Sequence, residues 1–303
     1  MRLGFSLPNN QGTERISDLA KLAREAEQLG YHSVWVSEHL WHSSYVAQRL
    51  GSRAYHEPLT VLTAAALATS SIRLGTSVLV LPWHHPVRLA KTIASLDDLA
   101  DGRVDMGVGV AITEDEFANL GVDFHTRGRR TDDALGAIKA LWTMDIPEFD
   151  GEFYSFSGMR FEPKPRQKPH PPILIGGGSS AAIRRVVRFG DGWHALGQSP
   201  ETMKVAMRKL AEQCVQAGRD VADLHISIRC VFDLVDEPWD RPVWQRKTLK
   251  GTAEEIVATI AAFAEAGVHE IVIDASSTDM RTTRSRMRRA IELLAHPDMP
   301  SAR

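Results

Sequence analysis

Between Pro172 and Leu196 the chain reads PILIGGGSSAAIRRVVRFGDGWHAL. A short apolar run, Pro172–Ile175, stops at three glycines. A helical pattern follows over Ser180–Phe189, closed by Gly190 at a C-cap position, and a second apolar run covers Gly192–Leu196. Two strands joined through a helix must lie parallel, with a right-handed crossover.

The same alternation extends in both directions. Strand signals fall at Leu3–Leu7, Ser33–Ser37, Arg73–Val80 and Val104–Val110 on one side, and at His225–Phe232 and Glu270–Asp274 on the other. Helical spacing fills the gaps: Ile16 to Leu29, Leu59–Ala68, Val87–Leu99, Thr131–Trp142, Pro200–Ala217, Ala253–Glu265 and Thr283–Leu294. Gly30, Gly218 and Gly267 stand with Gly190 where C-caps belong. Eight strand–helix units are the number that closes a barrel, so the expected fold is α/β, a (β/α)8 TIM barrel, with a doubly wound open sheet as the alternative. Asp145–Pro171 breaks the alternation with two glycines and five prolines; it reads as an insertion between units four and five, in which Glu152–Phe156 forms a small strand. Asp236–Gly251, with Pro238, Trp239, Pro242 and Trp244, is a second such stretch. Each suits a lid or wall over a barrel mouth, or a static packing loop.

The chain has 303 residues, 43% hydrophobic and 24% charged, with 36 Lys and Arg against 38 Asp and Glu. That length suits one barrel domain over 1–303, since such barrels use roughly 250 residues. A net charge of −2 creates no sequence-wide field for nucleic acid or an anionic membrane. The opening MRLGFSLPNN has too short an apolar stretch for a secretory signal, and no run approaches the roughly 20 apolar residues of a membrane helix. A cytoplasmic protein is expected. Cys214 and Cys230, without C-x-x-C spacing or surrounding histidines, read as buried free thiols, and no metal site is expected.

In a TIM barrel the active site lies at the carboxyl ends of the strands. The glycine turn there, Gly176-Gly177-Gly178-Ser179-Ser180, lets backbone N–H groups approach a ligand, and the helix end behind it favours negative charge; it reads as a phosphate cradle. Gly176, Gly178 and Ala181 also satisfy G-x-G-x-x-A, leaving a dinucleotide site and a plain tight turn as alternatives. Glu38-His39 closes the second strand with a carboxylate and an imidazole capable of proton transfer near neutral pH. His84-His85 reads as pocket wall. Arg127, Arg129 and Arg130 precede Asp132 and Asp133, a pattern of intrahelical ion pairs or, alternatively, a grip on an anionic tail. Arg281, Arg284, Arg286, Arg288 and Arg289 read as the solvated face of the last helix.

These residues, together with LGFSLPN at 3–9, SVWVSEH at 33–39, IRLGTSVLVLPWHHPVRLAKTIASLDDLADGRVDMGVGV at 72–110, EDEFANLGVDFHTRGRRTDDAL at 114–135, PPILIGGGSS at 171–180 and RFGDGW at 188–193, resemble the luciferase-like monooxygenase superfamily. Within it the chain resembles the actinobacterial oxidoreductases that use coenzyme F420. The resemblance implies a flavin or deazaflavin at the mouth, backed by a bulge after the third strand that often contains a non-prolyl cis peptide and here matches Thr76, Ser77 and Val78. It implies Glu38 near the ring, His39 near the reacting atom, and Gly176, Gly177, Gly178 and Ser179 around the phosphate. The implied activity is F420-dependent hydride transfer to or from a small organic substrate, by a homodimer. An FMN-dependent monooxygenase is the alternative on the same barrel, and a non-redox enzyme acting on a phosphorylated substrate a further one. Two positions depart from the pattern: Ala111-Ile112 follows Gly109-Val110 where relatives carry Gly and then Trp or Glu, so no acid is available there, and Ser199 replaces the Lys of sugar-phosphate dehydrogenases, which argues against a sugar phosphate.

Overall fold

A computed structural model of the chain describes residues 1–239 and 241–294. The barrel strands are β1 (Arg2–Ser6), β2 (Ser33–Val36), β3 (Arg73–Thr76), β4 (Val104–Gly109), β5 (Ile173–Gly176), β6 (Gly192–Leu196), β7 (His225–Leu234) and β8 (Glu270–Asp274). Each pairs in parallel with the next, and β8 pairs with β1, closing the ring. The (β/α)8 expectation holds. The open sheet does not, because its two edges would have to be the strands that here join.

Helices Ile16–Gln28, Pro58–Ala68, Pro86–Leu99, Arg127–Thr143, Ser180–Phe189, Pro200–Gln216, Ala253–Glu265 and Met280–Leu294 surround the strands. Their starts are chemically set: Ser199 and Thr252 each form a reciprocal capping box, and the Glu57 carboxylate accepts from the Leu59 and Thr60 N–H groups. The apolar core lies between these helices and the outward rows of the strands, as around Leu19, Leu22, Ile93, Ile138 and Ile260.

The barrel interior is filled differently. Trp35 points inward from β2, and a Cβ at Gly4 would lie 2.8 Å from its Nε1, while one at Gly75 would fall within its ring. Glycines on both neighbouring strands therefore make room for one large ring, which packs with Leu174 and Val272. His194 stacks on it at 4.7 Å and 9°. Below, at the amino-terminal end, Trp35 Nε1 donates to Ser33 Oγ at 2.6 Å, Ser33 donates to Glu270, and Glu270 pairs with His225 at 2.9 Å. Arg73 and Asp105 form a two-point ion pair beside them, at 2.5 and 2.7 Å.

Several local expectations need correction. Arg73–Val80 is not one strand: β3 ends at Thr76, the Ser77–Val78 peptide is cis, and Leu79–Val80 resumes pairing with β4. Gly190 is the C-cap of its helix as expected, its N–H on the Val186 carbonyl, but with φ −82°, whereas Gly30, Gly218 and Gly267 stand one residue past the caps with positive φ. Gly190 is required by crowding instead, since a Cβ there would lie 3.0 Å from both the Gly192 carbonyl and Ile175 Cγ1. In the insertion the strand expected at Glu152–Phe156 shrinks to Ser155–Phe156, paired antiparallel with Phe149–Asp150, because the Asp133 carboxylate captures the N–H groups of Glu152, Phe153 and Tyr154. Two short helices, Ser44–Leu50 and Glu114–Asn119, were not evident in the sequence pattern. The second of the two irregular stretches folds in part as the short strand Leu249–Gly251, which pairs with β7; within it Asp240 lies outside the described residues, as do 295–303 of the expected single domain. Both cysteines are free and buried. No described helix is long and apolar enough to cross a membrane, and no metal-binding cluster occurs among the described residues.

Candidate active site

At the mouth, the bulge after β3 is held at nearly every polar group. Thr76 Oγ1 donates to the Gly107 carbonyl at 2.7 Å, and Ser77 N–H donates to the Val36 carbonyl at 2.6 Å. Ser77 Oγ bonds His194 Nε2 at 2.8 Å, its carbonyl accepts from Arg229 Nη1 at 3.4 Å, and the Val80 N–H donates to Glu38 at 2.6 Å. The Val78 side chain lies over Gly107, Gly109 and Gly176; a Cβ at Gly109 would come within 2.6 Å of Val78 Cγ2, and one at Gly176 within 2.9 Å of Cγ1. The result is a half-buried shelf, Ser77–Val78, pinned from below and from both sides.

Glu38 and His39 are adjacent in sequence but serve different partners. Glu38 is buried and turned onto the shelf, bonded to Val80 N–H and to His84 Nε2 at 2.9 Å. Burial works against a charged His84, yet the Glu38 carboxylate more than compensates and raises its pKa. His39 instead points Nδ1 at Glu116 Oε2, 2.7 Å away. Glu116 is fully buried and also accepts from the N–H groups of Leu40 and Trp41 and from Thr113 Oγ1. Burial alone would raise its pKa; the bond from His39 and those from Thr113 and the backbone outweigh this and lower it. Glu116 is carried by the short helix Glu114–Asn119, which follows β4. Ala111 turns the chain toward that helix with φ 56°.

His194 is wholly buried between Ser77 and Ser227, and desolvation lowers its pKa to about 3, so it is a neutral ring that positions the bulge. On the opposite side of the mouth Arg229 Nη2 meets Asp274 at 2.6 Å. Burial would raise the Asp274 pKa, but Arg229 and the neighbouring Ser276 lower it.

The glycine turn after β5 has the expected form. Gly177 takes φ 97°, its carbonyl is fixed by Trp193 Nε1 at 2.6 Å, and the exposed Gly178 backbone would clash with Gln198 if it carried a Cβ. Ser179 caps the helix through Ala182 N–H at 3.2 Å. The arginine segment at 127–130 departs from intrahelical pairing: Arg129 meets Glu152, while Asp132 is taken by Arg185 at 2.5 Å. Arg127 stacks over Phe124 and Arg130 over Phe153, and neither meets a carboxylate among the described residues. On the last helix, Arg284 and Arg286 reach Glu25 and Asp233 on other elements, so that face is only partly solvated.

Buried polar atoms without a partner also gather at this end. Asn10 Oδ1 follows β1, Ser43 Oγ follows β2, Trp83 Nε1 follows β3, Arg127 Nε follows β4, and Arg246 Nη1 and Thr248 Oγ1 lie between β7 and β8. All of these atoms lie on loops or helix starts that follow strands β1 to β4 and β7.

Residues 1–241 match the family described as luciferase-like monooxygenase. The FMNH2-dependent dimethylsulfone monooxygenase of Pseudomonas putida is 31% identical over 204 residues, covering 66% of this chain and 54% of that protein. The crystal structure of monooxygenase RslO1 from Streptomyces bottropensis superimposes with a TM-score of 0.85 at 25% identity, over 97% of this chain and 98% of that one. An F420-dependent secondary alcohol dehydrogenase, solved with an F420–acetone adduct, superimposes at 0.80 with 20% identity over 97% and 99%, a likeness of fold.

Proposed function

The chain belongs to the luciferase-like monooxygenase family, and on that premise we propose that it is a two-electron oxidoreductase that binds the deazaflavin F420 at the barrel mouth and exchanges hydride with a small organic substrate. The observation that carries this reading is the His39–Glu116 relay set beside the pinned Ser77–Val78 shelf. A planar ring system with a phosphate-bearing arm fits the residues present: the shelf offers a small apolar surface over three glycines, the turn at Gly176–Ser179 an exposed backbone with a helix end, and the rim the unpaired atoms named above.

Thr76, Ser77 and Val78 would hold the ring and Gly176, Gly177, Gly178 and Ser179 the phosphate. Bound there, a reduced deazaflavin or flavin supplies two electrons as hydride. The protein's own task is the accompanying proton. With Glu116 ionised, His39 keeps its proton on Nδ1, and Nε2 is the nitrogen that accepts a proton from an alcohol or, in the imidazolium, returns one to a carbonyl oxygen. Glu38 acts indirectly, holding Val80 and hence the shelf.

Arg127 and Arg130 favour F420 over FMN. Arg185, on the helix that starts at the glycine turn, donates to the Gly128 carbonyl at 3.2 Å, so the segment bearing Arg127 and Arg130, neither of which meets a carboxylate among the described residues, packs on the helix behind the phosphate cradle, suited to an anionic arm longer than one phosphate. The identity to an FMNH2-dependent relative favours the second reading, a flavin monooxygenase. Anaerobic fluorescence titration with F420 and with FMN, followed by oxygen uptake on admitting air, separates them. Saturable F420 binding without oxygen uptake is expected; FMN binding alone, with oxygen consumed, assigns the second reading, and binding of neither removes both.

A further inference from the structure

The wall of the mouth next to the glycine turn, where β6 pairs directly with β5, the strand that carries the turn, is apolar. Along β6 the inward row is Gly192, His194, Leu196, and along β7 it is Ser227, Arg229, Val231; the last member of each lies at the carboxyl end of the barrel. Leu196 is 62% exposed and Val231 53%. On the other flank of β5, the turn at Ala111 after β4 presents Ile112 at 90% exposure, and Leu40 and Trp41, after β2, lie exposed next to His39 in the chain. Soluble surfaces seldom gather several large exposed apolar side chains at one end of a barrel without a ligand to cover them.

At the mouth Arg229 is matched with Asp274, His39 with Glu116 and His84 with Glu38, while Arg127 and Arg130 are assigned above to the arm of the cofactor. Arg49 is turned onto the Asn10 carbonyl at 2.7 Å. A charged substrate would have to break one of these pairs or be desolvated against Leu196 and Val231, either of which costs free energy.

We infer that the substrate is an uncharged, largely apolar molecule with a single polar oxygen, its apolar body covering Leu196, Val231 and Ile112. This rests on the reading of the site as an oxidoreductase, but binding tests it without turnover. The probes are the straight-chain 2-ketones from 2-butanone to 2-decanone and the keto-carboxylates of matching length, followed by quenching of tryptophan fluorescence with and without F420. Affinity for the ketones is expected to rise about fourfold for each methylene the surface covers, the equivalent of about 0.8 kcal/mol, and the carboxylates to bind at least tenfold more weakly. L196D and the separately made I112D, both at exposed positions, should each flatten the chain-length dependence. Carboxylates that bind as well as the ketones, or ketone affinities independent of length, overturn the inference. Length-dependent ketone binding in a protein that takes up neither F420 nor FMN supports this inference while removing the cofactor reading.

Discussion

Replacing Glu116 by Gln tests the proton relay at its least visible member. The carboxylate takes four donors: the N–H groups of Leu40 at 3.1 Å and Trp41 at 3.4 Å on Oε1, and Thr113 Oγ1 at 2.8 Å and His39 Nδ1 at 2.7 Å on Oε2. A glutamine fills the same space but has one acceptor end. If its oxygen serves the two backbone donors, its NH2 faces His39, whose Nδ1 must then give up its proton and accept. The ring changes tautomer, and Nε2 becomes a donor where the reaction needs a base. Wrong-tautomer penalties in such relays reach about 10^4 in kcat, so we expect at least a hundredfold loss in single-turnover rate with cofactor affinity within a factor of three. Stability should fall by about 1–2 kcal/mol, one charge-assisted hydrogen bond offset by relief of a buried charge, or roughly 2–3 °C in Tm. The sign with pH is definite: the lowered Glu116 pKa stabilises the fold above about pH 4.5, and that contribution is lost as the pH falls through the folded value. The gap between wild type and variant, read by thermal unfolding at pH 7 and about pH 3.5, should therefore narrow in acid. An unchanged rate, or a gap that widens on acidification, would refute the reasoning.

Three further outcomes follow from the same geometry. G109A brings a Cβ within 2.6 Å of Val78 Cγ2; it should cost about 1–3 kcal/mol by overpacking and weaken F420 binding, read by denaturant unfolding and fluorescence titration. G177A forces a side chain onto φ 97°, costing about 1–2 kcal/mol and at least tenfold in cofactor affinity, with little effect on the ketone series. His194, held neutral with its pKa lowered to about 3, binds fewer protons folded than unfolded; wild type should lose about 2 kcal/mol between pH 8 and pH 5 that H194Q does not, seen as converging stability curves in acid.

The barrel was legible because its signals are local: alternating apolar runs, helical spacing and the glycines that end them. The glycine turn was legible for the same reason, as a strand, a break and a helix in consecutive residues. The break in the third strand was not, since Val78, Leu79 and Val80 continue an apolar run, and the space that admits the bulge is made by Gly107, Gly109 and Gly176 on other strands; only the resemblance pointed to Ser77–Val78. Partnerships were the least legible. His39 and Glu116 are 77 residues apart and His84 and Glu38 are 46 apart, so adjacency of Glu38 and His39 suggested a pair that the fold sends in two directions. The position of Glu116 three residues after Thr113, in a short polar helix following β4, is the one sequence signal that could have raised it. The inward glycines at 4 and 75 acquire meaning only once Trp35 is seen between them.

The most direct test of the whole account is a crystal structure of the protein grown with F420. The ring system should rest against Ser77–Val78, the phosphate at Gly176–Ser179, and the His39 imidazole should face the reacting edge of the ring while Nδ1 stays on Glu116. F420 bound elsewhere on the barrel, or a mouth into which no deazaflavin or flavin enters at saturating concentration, would contradict it.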